Sequence, residues 1–305
     1  MSVEFVSAAQ VAQVAACDAP LRLVDTFGRV ARDLRVSLTD RCNLRCSYCM
    51  PPEGLDWLPT EETLTDEEVV RLVRVGVERL GIRQVRFTGG EPLLRRGLEG
   101  IIAECAQLRT DEGKKPDLAL TTNALGLAKR AQGLRDAGLD RVNISLDSLD
   151  AEHYAAITRR DRLGDVLEGI EAAARAGLTP IKVNTLVLRG MNEADLPDLV
   201  DYCLDRGIEL RVIEQMPIGP ADTWDRQNIL TADEILHIMG TRHTLTPAQR
   251  EDPHSPAGRW IVDGDPTTRL GVIASVSDPF CGACDRTRLT SDGMVRSCLF
   301  STEET

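Results

Sequence analysis

The chain has 305 residues, of which 42% are apolar, and it carries a formal net charge of −12 at pH 7. This length suits a single α/β barrel or two smaller units, and no apolar run approaches the roughly 18 residues that a membrane-spanning helix needs. Because lysine and arginine drive binding to nucleic-acid phosphates, the acidic balance argues against a broad nucleic-acid surface. We therefore expect neither a nucleic-acid partner nor a membrane partner.

The sequence begins with an extension, residues 1–26, that carries Glu4 and has no basic residue before Arg22 and no long apolar core. We expect neither a signal peptide nor a lipid anchor there, although Val14–Cys17 loosely resembles a lipoprotein cleavage site. The nine cysteines are an odd number, and most of them fall in two tight triplets. That clustering is typical of metal binding in a reducing compartment, which predicts a cytoplasmic location.

From residue 33 onward, short strand-like runs alternate with helical patterns, which predicts parallel βα units. The first helix is predicted at Thr65–Leu80, where Thr65 and Glu68 can form a capping box. Residues 217–260 are predicted to be an irregular, proline-rich linker to a second unit, with one short helix at Ala232–Gly240. The predicted strands are Asp33–Thr39, Gln84–Thr88, Asp117–Asn123, Arg141–Asp147, Pro180–Leu188 and Glu209–Met216.

Several of these strands alternate apolar and polar residues, unlike strands that are buried on both faces. Arg35, Arg86, Thr121 and Lys182 fall on the polar side of this alternation. An ordinary eight-stranded barrel fills its interior with branched apolar side chains, so a basic interior predicts an open barrel that holds a charged ligand. The alternative is a solvent-exposed polar face.

The first cysteine triplet, Cys42, Cys46 and Cys49, has the spacing C-x3-C-x2-C. A structural zinc site needs four ligands, usually as two separated pairs, and no histidine occurs before His153. A [4Fe–4S] cluster held by only three cysteines keeps one iron open for a small molecule. The spacing therefore favours a cluster, with buried structural thiols as the alternative.

The glycine pair in Thr88–Pro92 follows the second predicted strand, at the end where parallel α/β folds bind ligands. Glycines let the backbone approach a ligand closely, although a glycine pair is more often a simple turn.

The second triplet, Cys281, Cys284 and Cys298, also lacks a fourth thiol or a nearby histidine. It predicts a second cluster with an open iron, while zinc is an equal alternative for a lone C-x2-C pair. Arg286 and Arg288 adjoin this triplet, and guanidinium groups bind phosphate oxygens in pairs. We therefore expect these arginines to bind an anion near the cluster, the alternative being a solvated pair.

These motifs make the chain resemble the radical S-adenosylmethionine (SAM) enzymes and, more closely, the GTP 3′,8-cyclases that begin molybdenum cofactor biosynthesis. The resemblance runs from about Phe27 to Phe300 and includes T-G-G-E-P, L-T-T-N, N-I-S-L-D and C-G-A-C-D-R-T-R. It implies an α/β fold with an open partial (βα)6 barrel at 27–245 and a second-cluster region at 246–305. The family also continues past the position of Thr305 into a tail ending in two glycines, on which we expect turnover, more than binding, to depend.

The resemblance also implies roles for individual residues. One [4Fe–4S] cluster would be held by Cys42, Cys46 and Cys49, and the other by Cys281, Cys284 and Cys298. SAM would contact Tyr48, Gly90, Ser145 and Met216, with a core role the equal alternative for Met216. The positions that contact GTP would be Arg35, Arg86, Thr121, Lys182, Arg286, Thr287 and Arg288. Catalytic roles would fall to Arg35, Arg286 and Arg288.

The chemistry implied by the family starts with an electron passed from the first cluster to SAM, which yields a 5′-deoxyadenosyl radical. That radical removes hydrogen from C3′ of GTP, and C3′ then adds to C8 of guanine while the second cluster holds the purine. The expected partners are an electron donor such as flavodoxin or ferredoxin, the next enzyme of the pathway, cyclic pyranopterin monophosphate synthase, and a second copy of the chain in a homodimer.

Two alternatives stay open, because no G-x4-G-K-[ST] phosphate loop identifies a nucleotide. The first is a radical SAM enzyme with an auxiliary cluster that acts on a peptide or another substrate. The second is a non-catalytic metal-binding scaffold with zinc in the C-terminal triplet.

Overall fold

The computed structural model describes residues 21–219, 224–250 and 252–300. The predicted N-terminal extension, with the expectation that it holds no signal peptide or anchor, therefore lies outside the described residues except for 21–26. Part of the predicted linker is likewise outside them.

Parallel strands at the centre of one sheet fall inside the six predicted runs. They are β1 (Asp33–Ser37), β2 (Gln84–Thr88), β3 (Asp117–Thr122), β4 (Arg141–Ser145), β5 (Lys182–Leu186) and β6 (Glu209–Ile213). Strands that are consecutive in sequence are neighbours in the sheet, and every pair is parallel. The predicted βα repeat is confirmed.

Strands from the C-terminal part of the chain extend both sides of this central sheet. They are β7 (Leu245–Ala248), β8 (Gly258–Val262), β9 (Asp265–Ile273), β10 (Arg286–Leu289) and β11 (Val295–Arg296). β9 pairs parallel with β6 and β10 pairs parallel with β1, while β7, β8 and β11 are antiparallel additions. β7 and β11 are the two edges of the sheet, which is open as predicted.

The α-helices among the described residues lie mainly between the central strands, and none of them has both the length and the apolar character needed to cross a bilayer. They are α1 (Asp66–Arg79), α2 (Leu98–Ala106), α3 (Leu127–Asp136), α4 (Ala151–Thr158), α5 (Leu163–Arg175), α6 (Leu196–Leu204) and α7 (Ala232–Met239).

Helix α1 begins and ends within one residue of its prediction, because the capping box forms. The Glu68 amide donates to Thr65 Oγ1 at 3.2 Å, and the Thr65 amide donates to Glu68 Oε2 at 2.8 Å. These bonds satisfy amides that the first helical turn leaves without partners. Val69, Val73 and Val77 then bury one face of the helix against the sheet.

The predicted alternation separates a packed face of the sheet from a polar one. Val36, Val142 and Ile144 are fully buried among the helices. Arg35 and Arg86 lie on the other face and line a common cavity. Helix packing and ligand access are therefore assigned to opposite faces of the same strands.

The prediction that residues 217–260 are irregular outside one short helix is wrong. Helix α7 lies at the predicted position, but β7 and the start of β8 also fall in this range. Prolines made these residues resemble a loop, yet β7 is an edge strand, where Pro247 need not donate to a neighbour on both sides. The C-terminal strands join the central sheet and do not form a separate one.

The glycine pair after β2 lets two backbone segments touch. Gly89 has φ +138°, and the Gly90 amide donates to the Thr39 carbonyl at 2.7 Å. A Cβ on Gly90 would lie 2.2 Å from the carbonyl oxygen of Arg41 and 2.4 Å from that of Asp40. The pair is thus needed to pack β2 against the segment that leads into the first cysteine triplet.

We predict that Gly90→Ala lowers the free energy of unfolding by about 1–3 kcal/mol, because its methyl group overlaps backbone that must shift. Gly100→Ala is the matched control, since Gly100 lies in α2 and a methyl group added there would meet no atom within 4 Å. That substitution should stabilise the protein by up to about 1 kcal/mol. Urea unfolding measures both changes, and equal stabilities for the two variants would contradict the steric account.

Candidate active site

The first cysteine triplet occupies the loop that follows β1. Cys42 and Cys46 are half-buried, and Cys49 is exposed. The amides of Cys49 and Met50 both donate to the Cys46 carbonyl, at 2.9 and 3.1 Å, so the loop turns tightly between the second and third thiols. Leu44 and Met50 are both 4% exposed and anchor the loop in the protein.

The environment of these thiols suits a cluster. Burial raises the pKa of Cys42, Cys46 and Cys49, and the nearby Cys42 adds to the rise at the other two. Three thiolates therefore need a compensating cation, which cluster iron supplies. Among the described residues, no three His, Cys, Asp or Glu side chains converge closely enough for a single metal ion. Cysteine thiolates are the ligands that iron–sulfur clusters use, and three of them lie in this one loop, so the donor set fits a cluster.

Tyr48, between the second and third cysteines, is fixed by a buried carboxylate. Its hydroxyl donates to Asp147 Oδ2 at 2.9 Å, and the Leu186 amide donates to Asp147 Oδ1 at 2.9 Å. Burial raises the pKa of Asp147 to about 6, despite these bonds. The cluster loop is thereby connected to the C-terminal ends of β4 and β5.

The other residues expected to contact SAM lie at the same end of the sheet. Gly90 is exposed just after β2, and Ser145 is half-buried as the last residue of β4, beside Asn184 of β5. Met216 follows β6 and lines the cavity, so it is not enclosed in the apolar core.

The second triplet is built by the C-terminal strands. Cys281 and Cys284 enclose a 3-10 turn, and Cys298 follows β11. Arg29 Nη1 donates to the Cys281 carbonyl at 2.5 Å, and Arg286 Nε lies 3.2 Å from Cys284 Sγ. All three cysteines line one cavity, which brings together thiols that are separated in the sequence.

This cavity also contains most of the residues expected to bind GTP. The structure brings Arg35, Arg86, Thr121, Arg286 and Arg288 to its wall, with Met216 and the second triplet. The wall therefore joins a thiol-lined end to a strongly basic one. The predicted residues that line it are Arg35, Arg86, Thr121, Met216, Cys281, Cys284, Arg286, Arg288 and Cys298.

The basic side chains have hydrogen-bond donors that the protein leaves unused. Arg35 Nε, Arg86 Nε and Arg286 Nη2 are buried and have no hydrogen-bond partner within residues 21–219, 224–250 and 252–300. The Asp33 carboxylate is the nearest anion, at 3.9 Å from Arg35 Nε and 3.8 Å from Arg86 Nη2, which is too far for a hydrogen bond. Buried donors without acceptors are rare in folded proteins, so these fit an anionic ligand.

Burial and mutual repulsion weaken the hold of these side chains on their protons. Burial lowers the pKa of Arg35 to about 10 and that of Arg86 to about 9, and neighbouring arginines add to both shifts. The pKa of Arg288 is lowered by burial and by Arg286. A polyanion bound between these arginines would raise their pKa values again.

The basic region continues to the N-terminal ends of the strands. Lys182, the first residue of β5, lies there with Nζ 3.2 Å from Glu209 Oε2. Burial, with a smaller contribution from Arg211, lowers the pKa of Lys182 to about 8. Arg35, Arg86, Arg211 and Arg286 line both parts of the cavity, which makes the basic surface continuous.

Thr287 is the predicted substrate residue that lines neither part of the cavity. Its side chain lies on the other face of β10 from Arg286 and Arg288, and its hydroxyl donates to the Arg296 carbonyl at 3.4 Å. Alternation along β10 accounts for this placement.

Sequence reasoning missed Arg211 and Arg29. Arg211 follows the same alternation as the predicted basic residues, between buried Leu210 and Val212 of β6, so this signal was present. Arg29 had no such signal, because its position beside Cys281 depends on tertiary structure alone.

Comparison with known proteins gives two family matches. The radical SAM superfamily model matches residues 36–203, and the Molybdenum Cofactor Synthesis C model matches residues 208–305. The second match covers the segment that carries the second triplet.

Among similar proteins, a GTP 3′,8-cyclase of Corynebacterium glutamicum is 61% identical over 287 residues, covering 93% of this chain and 76% of its own. The GTP 3′,8-cyclase 2 of Mycobacterium tuberculosis is 57% identical over 286 residues, covering 93% and 78%.

Among solved structures, Streptococcus suis SuiB bound to S-adenosylmethionine superposes with a TM-score of 0.62 at 14% identity. The alignment covers 91% of this chain and 64% of SuiB, slightly less than two thirds of that structure's length. The likeness shows the shared fold. The sequence matches show that the chain belongs to the radical SAM superfamily and, within it, to the GTP 3′,8-cyclase family.

Proposed function

We propose that this chain is a GTP 3′,8-cyclase that converts GTP to 3′,8-cyclo-7,8-dihydro-GTP in the first step of molybdenum cofactor biosynthesis. The observation that carries the proposal is one cavity that joins the second cysteine triplet to buried arginine N–H groups, which have no acceptor in the part of the chain that the structure describes. Such a cavity can bind a ligand with a coordinating base at one end and phosphates at the other.

The two cysteine triplets would hold two clusters with different roles. Cys42, Cys46 and Cys49 would hold the cluster that binds SAM, and Cys281, Cys284 and Cys298 would hold a second cluster facing the purine. When bound, the first cluster and SAM supply a 5′-deoxyadenosyl radical by one-electron cleavage. Tyr48, Gly90, Ser145 and Met216 would position SAM at the C-terminal ends of the strands.

The basic residues would hold the nucleotide so that C3′ stays near the radical source. Arg86 and Lys182 would bind the phosphates, and Thr121 and Thr287 remain proposed contacts. Arg286 Nε lies 3.2 Å from Cys284 Sγ, and Arg288 pairs in register with Arg35 on the neighbouring strand. We assign them to catalysis because they would fix the ribose and exclude water from the radical's path.

The partners and location are also proposed. One-electron cleavage needs an external donor such as flavodoxin or ferredoxin. The product would pass to cyclic pyranopterin monophosphate synthase, and a homodimer is the proposed assembly. A cytoplasmic location is supported by the cysteines at 42, 46, 49, 105, 203, 281, 284 and 298, which are all free.

A peptide substrate is less well supported by this cavity. Arg35, Arg86 and Arg286 direct charge and unpaired donors into it, whereas an ordinary peptide offers mainly neutral carbonyl groups. A non-catalytic zinc scaffold would not explain why arginine donors are buried in this cavity.

We predict that the anaerobic, reduced protein, with the family's tail present, forms 5′-deoxyadenosine from SAM in a manner that depends on GTP and not on ATP, CTP or UTP. A nucleotide isomeric with GTP should accumulate in parallel, separated by chromatography and identified by mass. The Cys46→Ala variant should form neither product, because it lacks a ligand of the first cluster. Deoxyadenosine formation that ignores added GTP would contradict the proposed substrate.

A second prediction follows from the lowered pKa of Lys182. In the free protein this amine loses its proton above about pH 8, and triphosphate binding must restore the proton. GTP affinity should therefore fall roughly fivefold to tenfold between pH 7.5 and pH 9, with proton uptake on binding. Calorimetry in buffers of different ionisation enthalpy measures both effects.

Two variants separate Lys182 from the other titrating groups. Lys182→Arg stays charged throughout this range, so its GTP affinity should fall only about twofold, the loss that the Arg86 pKa of about 9 allows. Lys182→Gln should bind GTP more weakly at pH 7.5, by roughly tenfold or more for a lost charge-assisted bond, and show little further loss. The same slope in all three proteins would show that Lys182 does not contact the phosphates.

A further inference from the structure

Arg159, the residue after helix α4, has an unusual backbone conformation. Its φ of 56° and ψ of 29° place it in the left-handed region. A long side chain is uncommon there, because its Cβ approaches the neighbouring carbonyl, whereas glycine adopts this conformation without strain. Strain of this kind persists where surrounding contacts hold it, often at functional sites.

The left-handed turn leaves the C-terminal carbonyls of α4 available to another segment. The carbonyl of Ile157 accepts from the Ser47 amide at 2.9 Å, and that of Thr158 accepts from the Arg45 amide at 3.1 Å. Helix-end carbonyls need partners from outside the helix, and here the first cysteine loop provides them. The helix end and the loop are therefore joined backbone to backbone.

The side chain of Arg159 returns to the same loop. Its Nη1 donates to the Arg45 carbonyl at 2.9 Å and to the Met50 carbonyl at 3.0 Å. These two carbonyls lie just before Cys46 and just after Cys49. One guanidinium group thus fastens both ends of the turn that carries two of the three thiols.

The backbone turn and the side-chain contacts make different demands on this position. Glycine would adopt the left-handed backbone conformation without strain, but it has no side chain to donate to the Arg45 and Met50 carbonyls. The contacts of the side chain therefore explain why an arginine occupies this left-handed position.

We propose that Arg159 is a positioning residue for the first cluster. It holds the Cys46–Cys49 turn in the geometry that binds the cluster and SAM, and it places a positive charge beside them. This inference deepens the proposed function, because it rests on the first triplet as the SAM-binding site, but it needs no assumption about the nucleotide substrate.

The test uses Arg159→Gly in the reconstituted protein with both clusters. Removing a positive charge beside the first cluster should lower its reduction potential, since cluster potentials follow local charge and hydrogen bonding. SAM binding should weaken roughly tenfold, the scale of a lost hydrogen bond from a charged group. The change that SAM causes in the paramagnetic resonance spectrum of the reduced protein should shrink accordingly.

The stability of the metal-free protein distinguishes positioning from general support of the fold. Glycine relieves the left-handed strain, which offsets part of the two lost hydrogen bonds, so the thermal midpoint of metal-free Arg159→Gly should fall by only about a few degrees. Loss of stability with an unchanged potential and unchanged SAM affinity would overturn the proposal.

Two further variants complete the comparison. Arg159→Lys keeps the charge and one donor, so it should retain the reduction potential. Its SAM affinity should lie between those of the unaltered protein and Arg159→Gly. Arg160→Gln is the matched control, because the exposed Arg160 side chain donates to the Arg159 carbonyl, at 3.4 Å, and among the described residues to none of the cysteine loop. It should leave every readout unchanged. An effect of Arg160→Gln as large as that of Arg159→Gly would also overturn the proposal.

These measurements use SAM and reductant without GTP. Failure of the Arg159 proposal would leave the GTP-dependent assay unaffected. A different nucleotide preference would equally leave the Arg159 result standing.

Discussion

The constraint on which the rest of the structure depends is a set of buried arginine N–H groups that have no hydrogen-bond acceptor among the described residues. They belong to Arg35, Arg86 and Arg286. In a medium of low dielectric, such groups cost free energy and repel one another, as the lowered pKa values of Arg35 and Arg86 reflect. The apolar packing on the opposite face of the sheet stabilises the fold and offsets this free-energy cost. An anionic ligand would accept hydrogen bonds from these groups and remove the cost.

The open sheet allows that charge to meet the second triplet. Because β10 pairs in parallel with β1, Arg286 lies in register with Asp33, and Arg288 lies in register with Arg35. The C-terminal strands thus bring Cys281 and Cys284 to the wall built by the first βα units. A closed barrel of the same strands would leave no edge for β10 to join.

The sequence predicted the central fold well because its signals are local. Two-residue alternation located Arg35 and Arg86 on the polar face, and the Thr65 capping box located the start of α1. The same alternation in β10 places Thr287 on the opposite face from Arg286 and Arg288, whereas the family motif groups the three residues together. The prolines around Pro247 favoured the prediction of a linker where the structure has the edge strand β7.

Other features could not be predicted because they depend on contacts between distant residues. The pairing of β10 with β1 joins residues some 250 positions apart, and spacing carries no information about it. The left-handed conformation of Arg159 is likewise imposed by the cluster loop. Burial of Asp147 and of the cavity arginines, which sets their pKa values, is also a tertiary property.

The central claim is that the second triplet and the arginines beside it bind one guanine nucleotide. The most direct measurement is electron–nuclear double resonance of the reduced Cys46→Ala variant, in which only the second triplet is complete, with GTP labelled by nitrogen-15 in the purine ring. The account predicts nitrogen coupling from the guanine at the cluster, and loss of that coupling when ATP replaces GTP. Saturating GTP binding with no nitrogen coupling would contradict it.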